Sequence, residues 1–126
     1  AFINFYYANV SDNEGKRRFF QMLKEIGFFI RTKPVKYIKT AKGVIKKGNL
    51  DVELTFDTLT QLKKFNTYIL LSGDSDFEII LNYLRKKRKK VIVMSTKGHI
   101  SIELIKSSDK YFDFKKFKNY FKREKR

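Results

Sequence analysis

The sequence predicts an α/β fold with a mainly parallel sheet and helices on both of its faces. Three observations predict it. Short apolar runs rich in β-branched and aromatic residues (FINFYY at 2–7, YILLS at 68–72, VIVMS at 91–95) read as strands. Stretches with apolar residues at i, i+3, i+4 and i+7 alternate with them and read as helices. Gly, Ser and Asp cluster at the joints between the two.

Taken in order, FINFYY is expected to be a buried strand. Ser11 and Glu14 have the S-x-x-E form of a capping box, so a helix should begin near Asp12. Phe19, Met22, Leu23 and Ile26 give that helix one apolar face, and Gly27 is placed to stop it. FFIRTKPVKYIK (28–39) looks like a second strand interrupted at Pro34, which suits an edge. TAKGVIKKGN (40–49) is turn-rich and basic and is expected to be a flexible loop.

From Asp51 the period becomes helical again, with Val52, Phe56, Leu59 and either Leu62 or Phe65 on one side. YILLS is expected to be a central strand, and Phe77, Ile80, Leu81 and Leu84 the buried face of the next helix. Six consecutive bases, residues 85–90, should end it. VIVMS, a turn at 97–99, a short helix near 102–107, a strand YFDF at 111–114 and a basic amphipathic helix or tail at 115–126 complete the chain. One domain over 1–126 is expected, with no internal repeat.

Composition narrows the chemistry. With no Cys, disulfides, thiolate metal sites and Cys nucleophiles are excluded, and His99 is the only imidazole. No apolar stretch approaches the roughly 20 residues a membrane helix needs, so no membrane association and a cytoplasmic location are expected. The chain begins with Ala1 and enters an apolar run at once, which suggests a truncated or processed start with an element upstream.

Lys and Arg number 29 against 13 Asp and Glu, a formal net charge of +16 that points to a polyanion such as nucleic acid. AT-rich codon usage, which inflates Lys, is the bland explanation. The distribution says more than the total. Residues 51 to 78 carry six acids and two bases, net −4, and the remainder 27 bases and seven acids, net +20. An acidic island in a basic chain suits metal-assisted chemistry on phosphates.

Asp74 and Asp76, in SGDSDF, follow YILL at the carboxyl end of a strand, where open parallel sheets bind ligands. Each is also an ordinary first-turn acid, and Ser72 or Ser75 can cap the new helix. Asp51 opens a different helix after KKGN and would complete a set of three hard oxygen ligands for Mg2+ or Mn2+. Asp57 lies roughly 120° around that helix from Asp51 and reads as a surface or supporting acid.

KGNLDVELTFD (47–57), YILLSGDSDFEIILNYL (68–84), KKVIVMS (89–95) and IELIKSSDKYFDF (102–114) resemble successive blocks of the NYN domain family, LabA-like branch, among the PIN-like nucleases. The resemblance implies a Rossmann-like three-layer α/β/α sandwich (PIN-like). It also implies a Mg2+- or Mn2+-dependent endoribonuclease in the complete protein, with Asp51, Asp74 and Asp76 as metal ligands and catalytic residues. Asp109 matches a recurrent acid near the end of the family pattern, and helix capping explains it as well.

The chain departs from the family in two places. Members usually begin with a strand of the form IDGxN carrying a further Asp, which these residues do not contain. Arg88 stands where relatives tend to have Gly, so the helix is expected to end differently. Lys46, Lys47, Arg85, Lys86, Arg88 and Lys89 are the candidate phosphate contacts, and Tyr6 and Tyr7 could stack on bases.

RNA is the expected partner, and a homodimer is left open. The alternative is a catalytically silent RNA-binding or protein-interaction module of the same fold. A different D-x-D enzyme, such as a phosphatase, ranks lower because those phosphatases carry the motif on their first strand.

Overall fold

A computed structural model describes residues 2–9, 13–96 and 100–117, within two compact units, residues 1–60 and 61–126. The two parallel sheets and their connecting helices are of the expected α/β class.

In the first unit, β1 (Ile3–Asn9) pairs in parallel with β2 (Phe28–Pro34), with Ile3 opposite Phe28 and Asn9 opposite Pro34. The intervening α1 (Glu14–Ile26) makes this a β-α-β unit. Asn13 is extended, and its side chain accepts from the Lys16 N–H at 2.9 Å, so Asn13 is the cap. The expected cap, Ser11, lies outside the described residues. Glu14 therefore starts the first turn and pairs with Arg18 at 2.8 Å. Gly27, at φ 113, ends the helix as expected, its N–H donating to the Leu23 and Lys24 carbonyls.

Aromatic contacts hold α1 on β1: Phe19 meets Phe5 edge-on at 6.2 Å, and Phe20 meets Tyr7 at 5.4 Å. The burial expected of these elements is only partly realised. Leu23 is buried, whereas Phe19, Met22 and Ile26 stay exposed, and residues 3–8 of β1 are half-buried at most.

After the break at Val35, β3 (Lys36–Thr40) and β4 (Gly43–Lys47) form an antiparallel hairpin. The expected basic loop at 40–49 is thus mostly a strand. Val44 and Ile45 face Lys39 and Ile38 across the ladder. The Thr40 hydroxyl donates to the Gly43 carbonyl at 2.8 Å and accepts from the Lys42 N–H at 3.3 Å, closing a tight turn. The local turn chemistry outweighs the run of lysines.

The helix α2 (Asp51–Thr60) begins where expected, but it is rotated from the expected face. Val52, Phe56 and Leu59 are exposed, and its buried residues are Asp57 and Thr58. Leu62 and Phe65 fall beyond the helix.

In the second unit β5 (Thr67–Leu71), β6 (Lys90–Ser95) and β7 (Lys110–Asp113) form a parallel sheet in that order. The centre of this sheet is β6, not YILLS. Val91, Val93 and Ser95 alternate inward along β6, whereas in β5 only Leu70 is buried. Phe77, Ile80, Leu81 and Leu84 bury the face of α3 (Glu78–Lys86) as their spacing predicts. With Val91, Val93 and Leu104 of α4 (Ile102–Lys106), they make the core, each fully buried aliphatic side chain contributing about 1.5–3 kcal/mol.

The end of α3 also differs from expectation. Arg88 takes the left-handed conformation itself, at φ 61. The Arg88 N–H donates to the Arg85 carbonyl and the Lys89 N–H to the Leu84 carbonyl, both at 2.9 Å, which is the pairing of a Schellman cap with arginine in the glycine position. Arg88→Gly is therefore expected to raise stability by roughly 1 kcal/mol, read as a higher urea midpoint at unchanged m-value. A short 3-10 turn (Phe114–Phe117) follows β7; the rest of the expected C-terminal helix, and the turn containing His99, lie outside the described residues.

Candidate functional site

The loop after β5 is built by its own side chains. The Ser72 hydroxyl accepts from the Asp74 N–H at 3.2 Å, and Asp74 Oδ1 accepts from the Asp76 N–H at 2.9 Å. Those bonds turn the chain into a 3-10 turn (Ser75–Phe77) that runs into α3, with Phe77 buried as its anchor. The Ser101 N–H, at the start of α4, donates to the Gly73 carbonyl at 3.2 Å. Asp74 thus caps its own turn, Ser72 supports it, and the Ser75 carbonyl accepts from the Glu78 N–H. Capping occupies one carboxylate oxygen of Asp74, and the Asp74 and Asp76 side chains are exposed at the carboxyl end of β5.

Asp51, in the first unit, is the first residue of α2 and half-buried. The glycine three residues before it has a steric reason: a Cβ at Gly48 would lie 2.7 Å from Val35 Cγ2 and 3.2 Å from Val35 Cα. The turn into α2 can therefore pass against Val35 only without a side chain there.

Asp57 is neither a surface acid nor free. It is buried, and Arg31 Nη2 donates to its Oδ1 at 2.7 Å while Arg31 Nε (3.1 Å) and Tyr6 Oη (2.7 Å) donate to its Oδ2. One turn earlier Glu53 Oε1 accepts from Lys33 Nζ at 2.9 Å, and Glu53 Oε2 is buried without a hydrogen-bond partner. The Tyr6 hydroxyl is committed to this network, and Tyr7 packs on Phe5 and Phe20, so both rings serve the first unit's packing.

The Lys33 hydrogen bond, with help from the Glu53 backbone, holds the Glu53 carboxyl below its ordinary value of 4.5 against the opposing effect of desolvation. A lowered folded-state pKa means stability that is present above the ordinary glutamate range and lost as pH falls through the folded value. The stability difference between wild type and Glu53→Gln should accordingly be constant above pH 5 or so and shrink below about pH 4.5 in urea titrations. A difference that grows on acidification would contradict the pairing.

The candidate basic residues divide into two groups. Arg85 pairs with Asp109 Oδ1 at 3.3 Å and donates to the Lys106 carbonyl, and Lys89 donates to the Phe65 carbonyl at 2.7 Å while lying over its ring. Lys46 and Lys47 on β4, with Lys86 and Arg88 at the end of α3, are exposed. Asp109 is held in a structural role. Its Oδ2 accepts from the Val91 N–H and its own N–H donates to the Val91 carbonyl, both at 2.8 Å, tying the lead into β7 to the start of β6.

Among the described residues no helix is long and apolar enough to cross a membrane. Residues 2–115 match the NYN domain family. The "Low amplitude and bright protein LabA" of Synechococcus elongatus is 29% identical over 125 residues, covering 97% of this chain and 67% of that protein. A crystal structure of a protein of unknown function from Vibrio parahaemolyticus shares the fold with a TM-score of 0.70 at 28% identity, over 86% of this chain and 66% of the other. The chain thus spans about two thirds of the length of these relatives. On a match that runs through both units and includes every candidate acid, the chain belongs to the NYN domain family, whose members are generally ribonuclease-like and metal-dependent.

Proposed function

We propose that the chain is a metal-dependent ribonuclease domain that hydrolyses RNA phosphodiester bonds, with Asp51, Asp74 and Asp76 together holding Mg2+ or Mn2+. The observation that carries this reading is the SGDSDF loop. In a chain of net charge +16 belonging to a ribonuclease-like family, it sets two exposed carboxylates side by side at the carboxyl end of a parallel strand.

The donor set fits a hard cation: carboxylate oxygens only, with no thiolate in the chain. Asp74 Oδ1 is fixed by the Asp76 N–H, which orients the carboxylate and leaves its other oxygen outside that bond. Ser72 holds the loop in that shape. When bound, the cation supplies an activated water and stabilises the charge that develops on the phosphate. In this reading Asp51, Asp74 and Asp76 bind and orient, and Lys46 and Lys47 ion-pair with substrate phosphates.

The test incubates end-labelled single-stranded RNA with the protein in Mg2+ or Mn2+, beside Asp74→Asn and beside EDTA. Cleavage that needs the cation and Asp74 supports the reading. Cleavage that survives Asp74→Asn would sink the site, and binding without cleavage by wild type would favour the silent module.

A further inference from the structure

The second unit is electrically polarised along its strands. Because β5, β6 and β7 are parallel, their carboxyl ends lie together, and there the loop carries Asp74 and Asp76 and β7 ends in Asp113. At the opposite, amino end, residues 85–90 lead into β6, and five of them, Arg85, Lys86, Arg88, Lys89 and Lys90, line a shallow depression together with Asn82 and Asp109. Lys106 and Lys110 lead into β7 at the same end and are exposed. The nine residues of α3 separate the two ends by roughly 13 Å.

Two internal partners, Asp109 for Arg85 and the Phe65 carbonyl for Lys89, shape this depression. Lys86, Arg88 and Lys90 are exposed around them. The helix dipole rewards cations within the last turn, which explains Lys86 but not a cation at position 88, beyond the helix. There Arg88 occupies a left-handed cap that glycine would fill without strain. A backbone outlier that keeps a charge where glycine would be more stable points to use of the charge.

We infer that this depression is a second binding site, for the phosphate backbone of a single-stranded nucleic acid, at the end of the sheet opposite the SGDSDF loop. The inference rests on the reading of RNA as substrate and deepens it. Lys86, Arg88 and Lys90 ion-pair with successive phosphates, and the strand is anchored away from the acids that would repel it. Anchoring there reads phosphates rather than bases, so it is indifferent to sequence.

The experiment measures binding by the whole chain of a labelled single-stranded RNA longer than the roughly 4–16 nucleotides a small domain tracks, in EDTA, across a salt series. Lys86→Gln/Arg88→Gly/Lys90→Gln should bind about tenfold more weakly, with a salt slope lower by about 2, at 0.7 per lost contact on a single strand. The charge-matched control Lys24→Gln/Lys39→Gln/Lys42→Gln should stay within about twofold of wild type.

Arg88→Gly alone supplies a readout that a purely structural role would not produce, since affinity should fall while the unfolding midpoint rises. Single-stranded DNA of the same sequence should show the same losses. Equal loss in the control, unchanged affinity in the triple variant, or no binding by wild type would each overturn the site. Because the assay contains no divalent cation, a failed cleavage reaction leaves it intact, and its own failure leaves the cleavage reading standing.

Discussion

Arg31→Met is expected to lower stability by about 2–4 kcal/mol, because it leaves the buried Asp57 carboxylate with Tyr6 as its remaining donor from the network. The lower part of that range allows for the guanidinium, whose side chain is 39% exposed against 8% for Asp57. Replacing both, Arg31→Met with Asp57→Leu, should recover part of the loss, since no charge is stranded and only the Tyr6 hydroxyl loses its acceptor. The cycle should therefore return a coupling energy above about 1 kcal/mol in urea titrations. It should change little with added salt, because a buried pair is poorly screened. Additive single effects within about 0.5 kcal/mol would show that the pair carries no such role.

That network also explains why part of the first unit was illegible. Arg31 and Lys33 stand two apart on β2, and Glu53 and Asp57 stand four apart on α2. A strand of period two and a helix of period 3.6 can thus present two cations to two carboxylates, as the 2.7 Å and 2.9 Å pairs confirm. The signal was in the sequence, but apolar periodicity placed Val52, Phe56 and Leu59 inward, and the ion pairs turned the helix the other way. The hairpin was hidden for a related reason. Its residues are all exposed, so no hydrophobic alternation announced it, and Thr40 with Gly43 closes it instead.

The second unit read more clearly because hydrophobic burial dominates it. Phe77, Ile80, Leu81 and Leu84 occupy the positions that helical spacing predicts, and β6 alternates inward and outward along its length. What sequence could not rank there was which strand lies at the middle, since YILL is as apolar as VIVM. Order in a sheet follows from pairing between distant segments, and composition carries little of it. The loop acids are legible from their location at the end of YILL, and the structure adds that Asp74 caps the turn that follows.

Capping is what makes Asp74→Asn the decisive substitution for activity. Asparagine keeps an Oδ1 that can accept from the Asp76 N–H, so the 3-10 turn and the start of α3 should survive with unchanged thermal stability. What disappears is the negative charge a hard cation requires, and cleavage should fall on the order of 100-fold or more. Asp74→Ala loses the cap as well and should cost about 1 kcal/mol of stability in addition. The two variants separate the structural role from the chemical one.

Asp51→Asn tests the proposed third ligand in the same way, with a comparable loss of cleavage expected. If Asp51→Asn cuts normally while Asp74→Asn does not, the cation is held by the loop alone and the first unit's acid serves only the dipole of α2. If both variants cut within several-fold of wild type under single-turnover conditions, carboxylate-held metal chemistry at these positions is wrong, whatever the family's habit.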